Sequence, residues 1–273
     1  MSDINIWLDR LEDILAARRG TVTRDGEQLH VRFGRSLTAA EANINPSALW
    51  PVLECAPQAE HERLMQGFAS GVHNVLLEPK RSKAKDWTYE EAAGTLFPNV
   101  EVFTFRLGAE AAGGAPWTLD FEGDLIVAYF FELNIGRRVL TQAQFDQWPA
   151  TASRVTAAAR SMLYHRSRDA SPKPVEGFDG VEVIHVGDEY DAIRSIVVVD
   201  LFFGDFKDSF RFTMPSQDAL LYVKGNAPEQ IAALRAATDV QFEAADYPLS
   251  RAVYTFERGQ PILDSELNST EGD

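Results

Sequence analysis

The chain is poor in the residues that most often betray a chemistry. Cys55 is the only cysteine among 273 residues, which excludes an intrachain disulfide and a cysteine-rich zinc site. It lies among apolar neighbours in "ALWPVLECAP" and reads as a small buried side chain rather than a nucleophile. Five histidines stand far apart, at 30, 61, 73, 165 and 185. His61-Glu62 has no second histidine where a zincin helix needs one. No Walker loop occurs, and no G-x-G-x-x-G follows a strand. Ser216 lacks the glycines of a nucleophile elbow. No metal or organic cofactor is therefore expected.

Long apolar runs are missing too. The longest, "LIVAYFF" at 125–131, has the length of a strand and falls well short of the roughly 20 residues of a membrane helix. The first twenty residues lack the basic-then-apolar layout of a secretion signal. These features, with the single cysteine, predict a soluble, cytoplasmic protein. Positive charge is scarce: 26 Lys and Arg face 41 Asp and Glu, a net −15. Such a surface repels a phosphate backbone, so nucleic acid is not an expected partner. The one basic stretch, Lys80, Arg81, Lys83 and Lys85 in "PKRSKAKDW", reads as a solvated linker.

What is present is a mixture of helical and strand periodicity. Ile4, Trp7, Leu8, Leu11, Ile14 and Leu15 form one helical stripe ahead of Gly20. Asp25-Gly26 between two short β-prone runs predicts a hairpin. Residues 59–79 read as a helix in which Gly67 and Gly71 permit close packing. "EVFTFRL" (101–107) alternates with period two and reads as a strand, and 108–117 as a loop. Further strands are expected at 124–133, 181–186, 209–214, 219–224 and 252–257. Helices are expected at 141–147, 151–165, 189–203 and 228–243. The order predicts an α+β fold, a mixed sheet packed against several helices, with a smaller helix-plus-hairpin N-terminal region. The expected division is 1–108, 109–263 and a flexible tail, 264–273.

The densest polar constellation is "DEYDAIRS" (188–195). Asp188 reads as the N-cap of the helix expected over 189–203, with Asp191 three residues on and able to reach back toward the cap. As metal ligands the two aspartates are too few. Arg194 stands among apolar positions. It can pair with Asp191 on the helix surface or with Asp218, and the second pairing is the expectation. His185, just before the acidic run, completes a candidate cluster of His185, Asp188, Asp191, Arg194 and Asp218. It is either a structural polar network or the site of a phosphate- or carboxylate-bearing ligand. No catalytic residue is assigned.

"GDEYDAIRSIVVVD" (187–200), "MPSQDALLYV" (214–223) and "EAADYPLSRAVYTF" (243–256) resemble, in order, the C-terminal half of the YtpQ-like family of bacterial proteins. "DLIVAYFFELNIGRRVLTQAQFDQW" (124–148) is similar to its middle region, so the resemblance spans about residues 97–258. Pro149 departs from a glycine-like turn, and Met162 stands where the family tends to place asparagine. The resemblance implies a soluble cytoplasmic protein and carries over no catalytic residue. Together these readings predict a protein that works through contact with another macromolecule, a protein partner being compatible with the charge. An enzyme or small-ligand binder using the Asp/Arg cluster is the alternative.

Overall fold

The computed structural model describes residues 3–34, 39–77, 86–133, 136–203 and 210–268. They form two compact units. The first comprises 1–96, 101–119 and 128–151, the second 97–100, 120–127 and 152–273. The division does not fall at 108/109, because the chain leaves the first unit and re-enters it twice before residue 152.

The first unit opens with helix α1 (Asp3–Ala17), whose buried Leu8, Leu11, Ile14 and Leu15 are the expected stripe. Strands β1 (Gly20–Asp25), β2 (Gln28–Phe33) and β3 (Ala40–Ile44) make an antiparallel sheet in that order. Gly26 supplies the φ of 61° that the two-residue turn after Asp25 requires. One sheet face buries Leu29, Val31, Phe33 and Ile44. After α2 (Trp50–Cys55) comes α3 (His61–Leu76). Cys55 is exposed, not buried: it ends a one-and-a-half-turn helix whose inward positions are Trp50 and Leu53.

Helix α4 (Tyr89–Ala92) is opened by a capping box between Thr88 and Glu91. Strand β4 (Leu96–Val102) follows, buried along its whole length. The chain turns helical at α5 (Thr104–Ala111). The strand expected over 101–107 is thus split. Thr104 donates its hydroxyl to Leu64 O at 2.7 Å, and α5 packs tightly on α3, so tertiary contact overrides the local alternation. Strands β5 (Thr118–Asp120), β6 (Leu125–Leu133) and β7 (Gly136–Val139) and helix α6 (Gln142–Asp146) follow, residues 97–100 of β4, Asp120 of β5 and 125–127 of β6 being assigned to the second unit. The sheet order is β4-β6-β5, with β7 also paired to β6. Trp117 stacks on Phe145 at 4.5 Å, and Phe131 lies edge-on to Trp87 and Trp148.

The second unit holds α7 (Ala152–Arg166), β8 (Lys173–Pro174), β9 (Glu182–Ile184), α8 (Ser195–Val198), β10 (Phe210–Ser216), β11 (Ala219–Lys224), α9 (Pro228–Ala244), β12 (Tyr254–Glu257), β13 (Gln260–Leu263) and α10 (Ser265–Asn268). Its six-stranded sheet runs β13-β12-β10-β11-β9-β8. Leu221, Val223 and Val253 pack with Ile231, Leu234 and Ala237 of α9 on one face. Alternation along the strands sends Phe210, Phe212, Tyr222, Tyr254 and Phe256 to the other. There they form a ladder of rings, with Phe210 stacked on Tyr222 at 4.8 Å and Phe212 on Tyr254 at 5.4 Å. Residues 192–198 lie against β10, β11 and β13.

The segment read as a tail begins as part of the fold. Asp264 is buried and pairs with Arg211 at 2.6 Å, and the Asn268 amide donates to Val253 O and Asp264 O. Residues 269–273 lie outside the described set, as do Lys80, Arg81, Lys83 and Lys85 of the basic linker. The fold is α+β. Among the described residues no helix is long and apolar enough to cross a membrane.

Candidate functional site

All five residues of the candidate cluster come together in the second unit. They meet where β9 ends, beside the turn between β10 and β11. The long helix expected over 189–203 is absent as such. Residues 192–194 form a 3₁₀ turn, 195–198 an α turn and 199–203 a π turn. The β-branched run Ile196-Val197-Val198-Val199 fits this uneven winding.

Asp188 is not the cap of that run. Its Oδ1 accepts from Tyr190 N at 3.2 Å, a local turn in which Glu189 is forced to a φ of 65°. Asp191, fully buried, does reach back, but past Asp188. It accepts from Val186 N with both oxygens at 2.9 Å and from Gly187 N at 3.0 Å. Asp218 Oδ1 accepts from Glu189 N at 3.0 Å. Three carboxylates thus take the N–H groups of Val186, Gly187, Glu189 and Tyr190, which fixes the backbone of the corner.

Arg194 neutralises this array from behind. It is 1% exposed. Its Nη1 donates to Asp188 Oδ1 and Asp191 Oδ1, both at 2.7 Å, its Nη2 to Asp188 Oδ2 at 2.8 Å, and its Nε to Ser167 Oγ at 3.1 Å. The expected pairing of Arg194 with Asp218 is therefore corrected: Asp218 holds the loop backbone, while Asp188 takes the guanidinium in a two-pronged grip. Asp188 and Asp191 are near in sequence and sit on the same side as Arg194, and the Asp218 carboxylate is turned to the Glu189 N–H instead.

The two carboxylates that share Arg194 are shifted in opposite senses. Burial works to raise Asp188, but the hydrogen bond and charge of Arg194 outweigh it and hold the group below its ordinary value. Burial dominates at Asp191 and pushes it up, against the opposing pull of the Gly187 and Val186 N–H groups and Arg194. His185 stands at the rim, its side chain 57% exposed. Its Nδ1 lies 2.7 Å from Asp218 O, and because a carbonyl only accepts, Nδ1 carries the hydrogen. Asp191 Oδ2 is 3.5 Å from the same nitrogen.

Sequence reasoning missed Ser167, 27 residues from Arg194 and at the end of α7, because nothing in its local context marks it. It also missed Arg166, whose guanidinium lies over Phe97 at 4.2 Å and Tyr190 at 5.3 Å. Arg-Ser at the end of a helix is too common a pair to signal either role. Among the described residues no three His, Cys, Asp or Glu side chains group so as to hold a metal ion. No family model, no curated protein and no solved structure matches the chain.

Proposed function

We propose that the protein acts without catalysis, by contact with another protein, and that the Asp/Arg cluster is scaffolding for the corner 185–191. The observation that carries this reading is the engagement of Arg194. Three of its nitrogens donate within the chain, to Ser167, Asp188 and Asp191. A phosphate or carboxylate ligand would have to displace Asp188 from a two-pronged ion pair to gain what that pair already supplies. The net charge of −15 favours a partner that presents a basic surface, with an association that weakens as salt is added.

The test has two arms. The purified chain is titrated with inorganic phosphate, citrate and ATP while its melting temperature is followed, and a substrate panel is screened for turnover. In parallel the immobilised chain is used to isolate partners, and binding is measured with each purified partner. The expected result is no saturable shift, no turnover, and a salt-sensitive protein complex. A saturable stabilisation by one of the anions that disappears in Arg194→Lys, or turnover with no partner, overturns the reading.

A further inference from the structure

Two places in the second unit show how this chain holds an arginine of its own. The guanidinium of Arg251 lies 3.8 Å over the ring of Phe242 and pairs with Asp239 and Glu243, one helical turn apart on α9. That of Arg166 lies over Phe97 and Tyr190, with the negative charge of Asp188 acting on it. In each, a ring face attracts the cation and a carboxylate supplies the counter-charge.

The same parts recur in the first unit without a cation. Trp7 of α1 lies 6.1 Å from Trp50 of α2, at 32°, and 5.6 Å from His61 of α3, at 86°. Trp50 is 6% exposed, whereas Trp7 is only half-buried and its neighbour Ile6 is 58% exposed. Asp3 stands one helical turn before Trp7. Side chains on a helix lean toward its amino-terminal end, so Trp7 leans toward Asp3. Glu54 stands one turn after Trp50 and leans back toward it. Both acids are exposed, and among the described residues neither has a hydrogen-bond or ion-pair partner. The basic groups nearby are already engaged. Arg10 donates to both oxygens of Glu62 at 2.7 Å, Arg63 to Glu60 at 2.6 Å, and the His61 Nε2–H to Ala56 O at 3.1 Å. Among the described residues no cation lies over either indole. Two uncompensated carboxylates thus flank a half-open indole.

We propose that Trp7, Asp3 and Glu54 receive an arginine side chain of the protein partner, with Ile6 packing beside its aliphatic stem. An indole is the strongest of the aromatic faces for a cation. A guanidinium is planar, so it lies flat on the ring and keeps its N–H groups at the edge for the two acids. Tryptophan and arginine are also the residues on which interface energy concentrates. The inference rests on the proposed contact with a basic partner and names the surface that makes it.

Labelled hexa-arginine and hexalysine peptides, titrated with the full chain at low salt, test it by fluorescence anisotropy. The expected result is about threefold tighter binding of hexa-arginine, a preference that Trp7→Leu abolishes. Asp3→Lys with Glu54→Lys weakens hexa-arginine about tenfold. Glu229→Lys with Glu257→Lys makes the same change in charge at exposed residues of the second unit, and weakens it less than about twofold. Equal weakening by the two double reversals overturns the proposal, as does a folded Trp7→Leu chain that binds hexa-arginine like the parent. Should Trp7→Leu unfold, the double reversals decide. A partner complex that forms and is indifferent to Asp3→Lys with Glu54→Lys refutes this surface and leaves the contact function standing. Absence of any partner refutes that function, and the peptide comparison still judges the surface.

Discussion

Gly71 of α3 presses its Cα against the carbonyl of Phe105 in α5. A Cβ built on Gly71 would overlap that oxygen and come within 2.6 Å of Ala109 N. The contact is mutual, because a Cβ on Gly108 would overlap the backbone of Phe68. The two helices cross at backbone distance, and only glycine allows it.

Gly71→Ala and Gly108→Ala should each destabilise the protein by about 2–3 kcal/mol, since neither backbone can yield without moving a whole helix. Gly94→Ala, with open space around it, should stay within about 0.5 kcal/mol of the parent. Urea unfolding of the three variants makes the comparison. Similar midpoints for all three would contradict the close crossing.

Arg194→Ala should cost about 3–5 kcal/mol, because two carboxylates lose their buried counter-charge. Arg194→Lys should recover little, since an ammonium cannot reproduce the fork on Asp188. In double-mutant cycles Arg194 and Asp188 should couple by about 1–3 kcal/mol, while Arg194 and Asp218 should be additive within about 0.5 kcal/mol. Strong coupling to Asp218 would contradict the geometry at the corner.

The depressed value of Asp188 makes the corner acid-sensitive. A carboxylate held low in the folded state binds its proton more readily when unfolded. Its contribution is complete above the ordinary carboxylate value and is lost as pH falls through the folded one. Asp188→Asn should flatten the acid limb of a stability–pH profile. Asp191 carries the opposite sign: raised by burial, it favours the folded state more when protonated. Asp191→Asn should therefore not flatten that limb, and equal flattening by both variants would go against the assignment.

His73, on the last turns of α3, is pushed down to about 4 by burial and by the charges of Arg18 and Arg137. It stays neutral in the folded chain while the unfolded chain takes up a proton near 6.5. Stability should fall as pH drops from about 6.5 to 4 by on the order of 2 kcal/mol from this group alone. An NMR titration of its imidazole reports the value directly. Arg137→Gln should raise it, and an imidazole that titrates in the ordinary range in the parent would refute the assignment.

Much of the fold could be read locally. Asp25-Gly26 specified a hairpin, the α1 stripe named its buried face, and Gly67 with Gly71 announced a close helix contact. The failures share a cause. "EVFTFRL" alternates like a strand, yet Thr104 finds an acceptor on Leu64, forty residues away, and the chain coils there instead. The five cluster residues lie together in the fold, but their connections differ from those expected. Whether Asp218 takes a guanidinium or a backbone N–H depends on the direction of Glu189, and a φ of 65° on a glutamate leaves no trace in composition. Ser167 was invisible for the same reason, since only the folded chain brings α7 to Arg194.

The aromatic rings of the first unit have an optical corollary. All five tryptophans, Trp7, Trp50, Trp87, Trp117 and Trp148, belong to that unit, whereas the second holds tyrosine and phenylalanine only. Indole emission is thus a private signal of the first unit, and circular dichroism sums both. If the two units melt independently, the emission and dichroism curves will separate. If they melt as one, the curves will superimpose.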